Sequence, residues 1–208
     1  MGKRTNPSLM LSFSFLFFIF LGSFLLMMPK CTYHGIDYID SLFVATSAVC
    51  ITGLTTIDVA STFTPLGIFI LSILIQIGAL GVMTFTSFFA LFFSGNASVY
   101  SQLMVKDMVY SKSINALLPT LLYIFVFTLS MEAIGAVFIW LSIRDVLDMS
   151  LENQLIFSAF HSLSAFCNAG FSNIQGGMAN PALMNSNQAI YFVISTITFA
   201  GAIGFPIL

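Results

Sequence analysis

The chain has 208 residues, of which 58% are hydrophobic and 7% are charged, and its formal net charge is -2. This composition excludes a water-soluble globular protein and predicts an integral membrane protein. The few charges are too scattered to form a nucleic-acid-binding surface. Three cysteines without a Cys-x-x-Cys spacing predict neither a disulfide framework nor a metal site.

Four apolar runs lie at residues 9–28, 66–93, 117–141 and 189–208. Each is close to the roughly 20 residues that a helix needs to cross a bilayer. The first run could instead be a secretory signal, because Lys3 and Arg4 precede it, but it is too long and lacks a small-x-small cleavage site. We therefore expect four membrane-spanning helices.

Two segments of mixed polarity, 37–58 and 150–180, lie between these runs. Within them, residues 40–49 and 152–166 predict half-helices with acidic residues near their N-termini, where the helix dipole favours negative charge. A segment that enters the membrane without crossing it must be buried by protein or lined by water. The expected fold is an all-α membrane protein with two helix–re-entrant pore loop–helix repeats. They cover 1–95 and 115–208 and are joined by a cytoplasmic connection at 96–114.

Both half-helices end in the same short pattern. Residues 47–55 read Ser-Ala-Val-Cys-Ile-Thr-Gly-Leu-Thr, and residues 164–172 read Ser-Ala-Phe-Cys-Asn-Ala-Gly-Phe-Ser. Each places one glycine where an extended backbone can present its carbonyl oxygens, which is how potassium selectivity filters are built. The candidate filter residues are Cys50, Ile51, Thr52, Gly53 and Leu54 in the first repeat and Cys167, Asn168, Ala169, Gly170 and Phe171 in the second.

A second repeated motif lies in the helices that follow, with Gly-Ala-Leu-Gly at 78–81 and Gly-Ala-Ile-Gly at 201–204. A Gly-x-x-Gly pattern in a membrane helix permits a neighbouring element to approach closely, so we expect a packing role for these glycines. Pore lining is the alternative. The second repeat has the longer connection between its two motifs, and we place the additional residues within 175–187.

The charges that flank the spans indicate an orientation. Four basic residues lie on one side and two on the other, which predicts a cytoplasmic N-terminus. The opposite side carries most of the acidic residues, and an outer mouth of that sign concentrates cations. Asp58 is the candidate outer-mouth acid, although simple solvation of the loops is the alternative. The basic residues are Lys3, Arg4, Lys106 and Lys112 against Lys30 and Arg144, and the acids are Asp37, Asp40, Asp58, Asp145, Asp148 and Glu152.

Five further residues have a structural and a functional interpretation. We expect Cys50 and Cys167 to pack behind the loops, and His161 to pack as well because nothing orients it as a base. Glu132 is the one acid within a spanning run, where it is either functional or hydrogen-bonded to a neighbouring helix. Asn168 is expected to support the second loop. No pattern of catalytic residues indicates an enzyme.

Three long motifs resemble the Trk/Ktr/HKT potassium-uptake superfamily, over almost the whole chain. They are Ala-Thr-Ser-Ala-Val-Cys-Ile-Thr-Gly-Leu-Thr at 45–55, Gln-Ile-Gly-Ala-Leu-Gly-Val-Met-Thr-Phe at 76–85 and Phe-His-Ser-Leu-Ser-Ala-Phe-Cys-Asn-Ala-Gly-Phe at 160–171. The chain looks most like the KtrB-type membrane subunit of the TrkH family, because its first glycine repeat follows directly after one spanning helix. The resemblance implies a truncated sequence that holds the first two of four repeats.

The resemblance implies a pseudo-fourfold pore in which each repeat supplies one filter glycine, here Gly53 and Gly170. Family members with serine at the first of these positions tend toward sodium, so Gly53 favours potassium, with sodium as a candidate coupling or activating ion. Apart from these ions no cofactor is implied. The expected location is the inner or plasma membrane, and the implied partners are the lipid bilayer, a second copy of the chain and a cytosolic nucleotide-binding regulatory subunit of the TrkA/KtrA kind.

The third repeat's gating loop and a later basic residue of the family have no counterpart in this sequence. Three explanations stay open: the sequence is truncated, two copies assemble to supply four loops, or a separate chain supplies the remainder. We interpret the chain as a subunit that passes potassium inward down its electrochemical gradient. The alternative is a non-conducting fragment or assembly partner that needs the missing repeats.

Overall fold

A computed structural model describes residues 7–81, 117–186 and 188–207 of the chain. Within these ranges the regular structure is helical, apart from one isolated bridge between Thr32 and Phe63. The predicted all-α class is therefore confirmed for the described part of the chain. The helices are α1 Pro7–Leu26, α2 Tyr38–Val49, α3 Val59–Thr62, α4 Pro65–Ala79, α5 Leu117–Ile143, α6 Leu151–Phe166, a short 3-10 helix Gly177–Ala179, α7 Pro181–Ser186 and α8 Gln188–Ile207.

The helices form two groups of the same composition. In the first group α1 packs against α2 and α4, and in the second α5 packs against α6 and α8. The two groups are in contact through α4, which also packs against α6. The short helices α2 and α6 thus lie between two longer neighbours, with their C-terminal ends close to the junction of the two groups.

The bounds of α2 and α6 follow from local chemistry. Ser150 caps α6 by accepting a hydrogen bond from the Asn153 amide at 3.4 Å, and Glu152 lies in the first turn. Asp40 lies in the first turn of α2. Each helix starts one or two residues before its predicted half-helix and ends where the sequence predicts, at Val49 and Phe166.

Helix α4 is shorter than the apolar run at 66–93 predicts. It begins at Pro65 after the capping residue Thr64 and ends at Ala79. Gly81 then adopts a φ of 70°, a left-handed conformation that glycine reaches without a steric cost and that interrupts a helix. The rest of the predicted run, 82–93, lies outside the described residues.

The surface is more apolar than that of a typical soluble protein. Large apolar side chains cover the outer surface, including Phe24 at 70% exposure and Phe192 at 76%. The buried set includes hydroxyl, amide, imidazole and carboxyl groups. An apolar exterior with polar groups kept inside the protein is what a lipid solvent requires. The buried polar residues are Ser23, Thr32, Ser41, Ser47, Thr128, Glu132, Gln154, Ser158, His161, Ser162 and Ser164.

One helical segment in the described residues is long and apolar enough to cross a bilayer, Leu122–Ile143, with 22 residues. The apolar segments Ser12–Leu26, Pro65–Ala79 and Gln188–Ala202 are shorter. Four spans and a cytoplasmic N-terminus stay predictions. Lys3, Arg4, Lys106, Lys112 and the cytoplasmic connection at 96–114, on which the orientation depends, lie outside the described residues.

Candidate functional site

Two glycine loops follow the short helices, the first at residues 50–54 and the second at residues 167–171. Both leave their helix by the same turn. The Thr52 amide donates to the Ser47 carbonyl at 2.8 Å, and the Ala169 amide donates to the Ser164 carbonyl at 2.8 Å. The repeated sequence pattern therefore produces a repeated backbone path.

The φ angles repeat as well. In the first loop Ile51 has a φ of 54° and Gly53 a φ of 74°, and in the second loop Asn168 has 56° and Gly170 has 77°. Among the described residues, Ile51 and Asn168 are the non-glycine residues with positive φ. Such a conformation is uncommon for any side chain and strained for a β-branched one. Strain retained at the same place in both loops marks a candidate functional site.

A serine two residues before the end of each short helix reaches across to the far end of its loop. The Ser47 hydroxyl accepts a hydrogen bond from the Leu54 amide at 2.9 Å. The Ser164 hydroxyl instead donates to the Phe171 carbonyl at 2.8 Å. Both serines bind the backbone of the residue that follows the loop glycine, but Ser47 is the hydrogen-bond acceptor and Ser164 is the donor.

The two loops meet at their glycines. A Cβ atom placed on Gly53 would overlap the Ala169 carbonyl oxygen and lie 3.3 Å from the Gly170 Cα atom. A Cβ on Gly170 would lie 3.8 Å from the Gly53 Cα atom, which is an ordinary contact. The structure thus brings the two sequence-predicted glycines side by side, and only a glycine fits at position 53.

Gly78 and Gly201 of the second repeated motif lie directly behind the loops. A Cβ on Gly78 of α4 would overlap the Val49 carbonyl oxygen, and a Cβ on Gly201 of α8 would overlap the Phe166 carbonyl oxygen. Val49 and Phe166 are the last residues of α2 and α6. These glycines therefore allow close approach of backbone to backbone, as the packing interpretation expects.

The surroundings of the two loops differ. Cys167 and Ala169 are buried, at 4% and 1% exposure. Cys50 and Thr52 are exposed at the equivalent positions. The prediction that both cysteines pack behind the loops is thus right for Cys167 and wrong for Cys50. The reason is that α4 covers the second loop, whereas no described helix covers the first loop in the same way.

His161 packs, as predicted, and it also holds the chain after the second loop. Its ring stacks on Phe157 with a centroid distance of 4.0 Å. Its Nδ1 and Nε2 atoms lie 3.0 Å from the Phe157 carbonyl oxygen and 2.8 Å from the Ser172 hydroxyl. The sequence analysis missed Ser172, although its place at the end of the repeated pattern is a signal. Asn168 donates through Nδ2 to the Phe166 carbonyl at 3.4 Å.

Asp40 and Asp58 lie at the N-terminal ends of α2 and α3. Asp40 accepts a hydrogen bond from the Thr56 hydroxyl at 2.7 Å. Asp58 is exposed and caps α3 by accepting from the Ala60 amide at 3.3 Å, and it also accepts from the Ser61 hydroxyl at 2.8 Å. Local capping therefore accounts for the position of Asp58. Its negative charge still faces the solvent at the same end of the molecule as the N-terminus of α2.

Glu132 has an identified neighbour across a helix contact. It is buried in α5, and its Oε1 atom lies 3.7 Å from the Cys167 sulfur. The same sulfur lies 3.9 Å from Oε1 of Gln76 in α4. Residues within the described part of the chain form no cluster of His, Cys, Asp and Glu that could hold a metal. The candidate site therefore consists of two glycine loops with polar side chains behind one of them.

Comparison with known proteins gives one family. The profile of the TrkH family, described as cation transport protein, matches residues 3–208. The Ktr system potassium uptake protein B of Bacillus subtilis is 33% identical over 209 residues, covering 99% of this chain. The potassium/sodium uptake protein NtpJ of Enterococcus hirae is 32% identical over 205 residues, covering 98%. The Ktr system potassium uptake protein B of Vibrio alginolyticus is 32% identical over 207 residues, covering 100%.

The chain spans about half the length of these curated relatives. The matched regions are 45%, 44% and 44% of the respective proteins.

Proposed function

Because the chain belongs to the TrkH family of cation transport proteins, we propose that it is the ion-translocating part of a potassium-uptake system. It is a membrane transport protein rather than an enzyme. The finer proposal is that the two glycine loops are two sides of a potassium selectivity filter.

The observation that carries this proposal is the contact between the loops at Gly53 and Gly170. Two helices, α2 and α6, end directly at these loops, and a helix C-terminus carries partial negative charge. Backbone carbonyls of residues 50–54 and 167–171 would replace part of the water around a dehydrated cation. Two strained loops that touch at glycines have no evident role in packing alone.

The contact between α4 and α6 indicates how the rest of a pore would form. On α6, the residues Ile156, Phe160, Leu163 and Cys167 pack onto the hydrophobic core of the first helix group. The repeated pattern places Ile39, Phe43, Thr46 and Cys50 at the equivalent positions of α2. This open face of α2 is exposed, with Ile39 at 77% and Phe43 at 41%.

A complementary open face lies on α8. Gly78 and Gly201 are equivalent, so Ser195 and Phe199 of α8 correspond to Ser72 and Gln76 of α4. Phe199 is 68% exposed, whereas Gln76 is in contact with Cys167 of α6. We propose that α8 of a second copy packs on the open face of α2, and the reverse. Two copies related by a two-fold axis would then supply four loops around one pore.

Selectivity for potassium is proposed on the first loop. Gly53 has no side chain to narrow the ring and adopts its left-handed φ without strain. Sodium is a candidate coupling or activating ion, and one relative carries both potassium and sodium in its name. We further propose a cytosolic nucleotide-binding regulatory subunit that contacts the connection at 96–114, and insertion in the inner or plasma membrane with the N-terminus in the cytoplasm.

Growth of a potassium-uptake-deficient bacterium on limiting potassium tests the proposal. The chain is expressed alone, beside a Gly53→Ser variant whose membrane level is matched. Rescue by the wild-type chain that the variant loses supports a filter at Gly53. Rescue by both chains alike contradicts that filter. No rescue despite membrane expression favours the alternative, a non-conducting fragment or assembly partner that needs further repeats.

Cross-linking tests the proposed closure of the pore. A Phe199→Cys variant should form an intermolecular disulfide with Cys50 of a second copy, and adding Cys50→Ser should abolish it. Gln76→Cys is the matched control, because Cys167 lies near Gln76 within one chain and should give an intramolecular bond. An intramolecular bond in the control without a dimer band for Phe199→Cys would overturn the two-copy arrangement and favour further repeats on the open faces.

A further inference from the structure

A buried polar cluster lies behind the second glycine loop, and the proposed filter alone does not require it. Its members come from three helices: Glu132 from α5, Gln76 from α4 and Cys167 at the end of α6. The Cys167 thiol is 3.7 Å from Glu132 Oε1 and 3.9 Å from Gln76 Oε1. The Gln76 Nε2 atom is buried without a hydrogen-bond partner.

The Glu132 residue holds α6 at two points. Its side chain meets Cys167, and its backbone carbonyl accepts a hydrogen bond of 2.7 Å from the Ser162 hydroxyl. Gly135, one turn later, lies so close to Ser162 that an added Cβ would overlap its hydroxyl. Helix α5 and the end of α6 are therefore in contact at the level of the second loop.

The first helix group has no acid at the equivalent place. A Cβ on Gly22 would lie 2.6 Å from the Leu74 side chain, and a Cβ on Gly135 would lie 2.9 Å from the Ile197 side chain. Leu74 and Ile197 have the same spacing from Gly78 and Gly201, so Gly22 and Gly135 are equivalent.

By this equivalence, Ile19 of α1 occupies the position that corresponds to Glu132 of α5. Ile19 is likewise buried, at 8% exposure. An apolar side chain therefore suffices to pack this position. The acid of the second group must have another use.

Burial of the Glu132 carboxyl group also costs free energy. A carboxyl group within a lipid-exposed helix bundle is costly unless it is paired or functional. The ion pair found in the described residues joins Arg144 and Asp145 on the surface, and it does not involve Glu132. The Glu132 carboxyl group is thus in contact with the Cys167 thiol, which carries no positive charge.

On the basis of the function proposed above, we propose that Glu132 is a positioning and specificity-determining residue for cation translocation. It fixes Cys167, the first residue of the second loop, against α5 and α4. In its ionised form, its carboxylate would also lie behind the second loop, where low dielectric strengthens attraction for a cation. The first loop has no such charge, so the two loops contribute unequally to cation binding.

Transport kinetics test the charge. A Glu132→Gln variant keeps size and hydrogen-bonding capacity but removes the charge, and we expect the KM for potassium to rise about tenfold with Vmax little changed. Glu132→Asp should restore most of the affinity. Ser162→Ala is the matched control, because it removes a hydrogen bond between the same helices and leaves the carboxyl group. Equal effects of Glu132→Gln and Ser162→Ala would overturn the proposal, and so would an unchanged KM in Glu132→Gln.

A second measurement does not depend on transport. In a Cys31→Ser, Cys50→Ser background Cys167 is the remaining cysteine of the sequence, and its labelling by a membrane-permeant maleimide reports the position of the second loop. Faster labelling in Glu132→Gln than in Ser162→Ala supports the positioning role even where the chain alone fails to transport. Labelling at the wild-type rate in Glu132→Gln contradicts it. If the wild-type chain does not take up potassium but Glu132→Gln still changes the labelling of Cys167, the transport function is wrong and the positioning role of Glu132 is supported.

Discussion

The two glycine loops have the same backbone and different surroundings. Positive φ angles fall at Ile51 and Gly53 in one loop and at Asn168 and Gly170 in the other. Behind the second loop lie Glu132, Gln76 and a buried Cys167, whereas the equivalent Cys50 is exposed. The comparison shows that the local pattern determines the path of the loop, while the neighbouring helices determine how firmly each loop is held.

The largest expected effect is a difference in potassium uptake between substitutions at Gly53 and at Gly170. Gly53→Ala should reduce potassium uptake to background, because its Cβ would overlap the Ala169 carbonyl oxygen in addition to the strain of a positive φ. Gly170→Ala meets only an ordinary contact and should cost about 1–3 kcal/mol from φ strain alone. Uptake by both variants at equal membrane expression measures this difference. Equal loss in both would contradict the asymmetry.

The glycines behind the loops should behave alike. Gly78→Ala and Gly201→Ala each force a Cβ into a backbone carbonyl, and we expect a loss of about 1–3 kcal/mol in the free energy of unfolding. Better helix propensity of alanine, about 1 kcal/mol, offsets part of this loss. Thermal unfolding in detergent measures both variants, with the exposed Ser195→Ala as a control on α8. A stabilised Gly201→Ala variant would show that α8 does not approach α6 so closely.

Removing the two serine hydroxyls should lower the stability of the protein by unequal amounts, and the difference should be smaller than that between the glycine variants. Ser164→Ala leaves the carbonyl of the buried Phe171 without its partner and should cost about 1–2 kcal/mol of stability. Ser47→Ala frees the amide of the exposed Leu54, which water can satisfy, so its loss should be smaller. Unfolding of both variants in the same detergent compares them. A larger loss for Ser47→Ala would reverse the interpretation.

The smallest effects concern the left-handed side chains. Asn168→Ile places a β-branched residue at a φ of 56° and should cost about 1 kcal/mol. Ile51→Asn relieves the same strain in the first loop but loses apolar contact, so we expect little net change. Thermal stability distinguishes the two exchanges. Destabilisation by Ile51→Asn as great as by Asn168→Ile would show that side-chain packing, rather than φ, dominates at both positions.

Much of the fold and part of the candidate site could be predicted from the sequence. The ends of α2 and α6, the positions of the loop glycines and the close-packed glycines at 78 and 201 follow from patterns read within a few residues. The end of α4 could not be predicted from hydropathy, because Gly81 interrupts the helix through its backbone conformation within an apolar run. The exposure of Cys50 was predicted wrongly, because the repeat does not reveal which helix covers which loop.

Composition and periodicity predict a helical membrane protein, and the glycine and capping residues mark its two equivalent loops, because such patterns act over short distances along the chain. The cation-transport family follows from the resemblance of three long motifs to known proteins. The tertiary structure decided that Gly53 meets Ala169 and that Glu132 and Gln76 meet at Cys167. These contacts join residues far apart in sequence, and they depend on how α4 packs against α6, which no local pattern specifies.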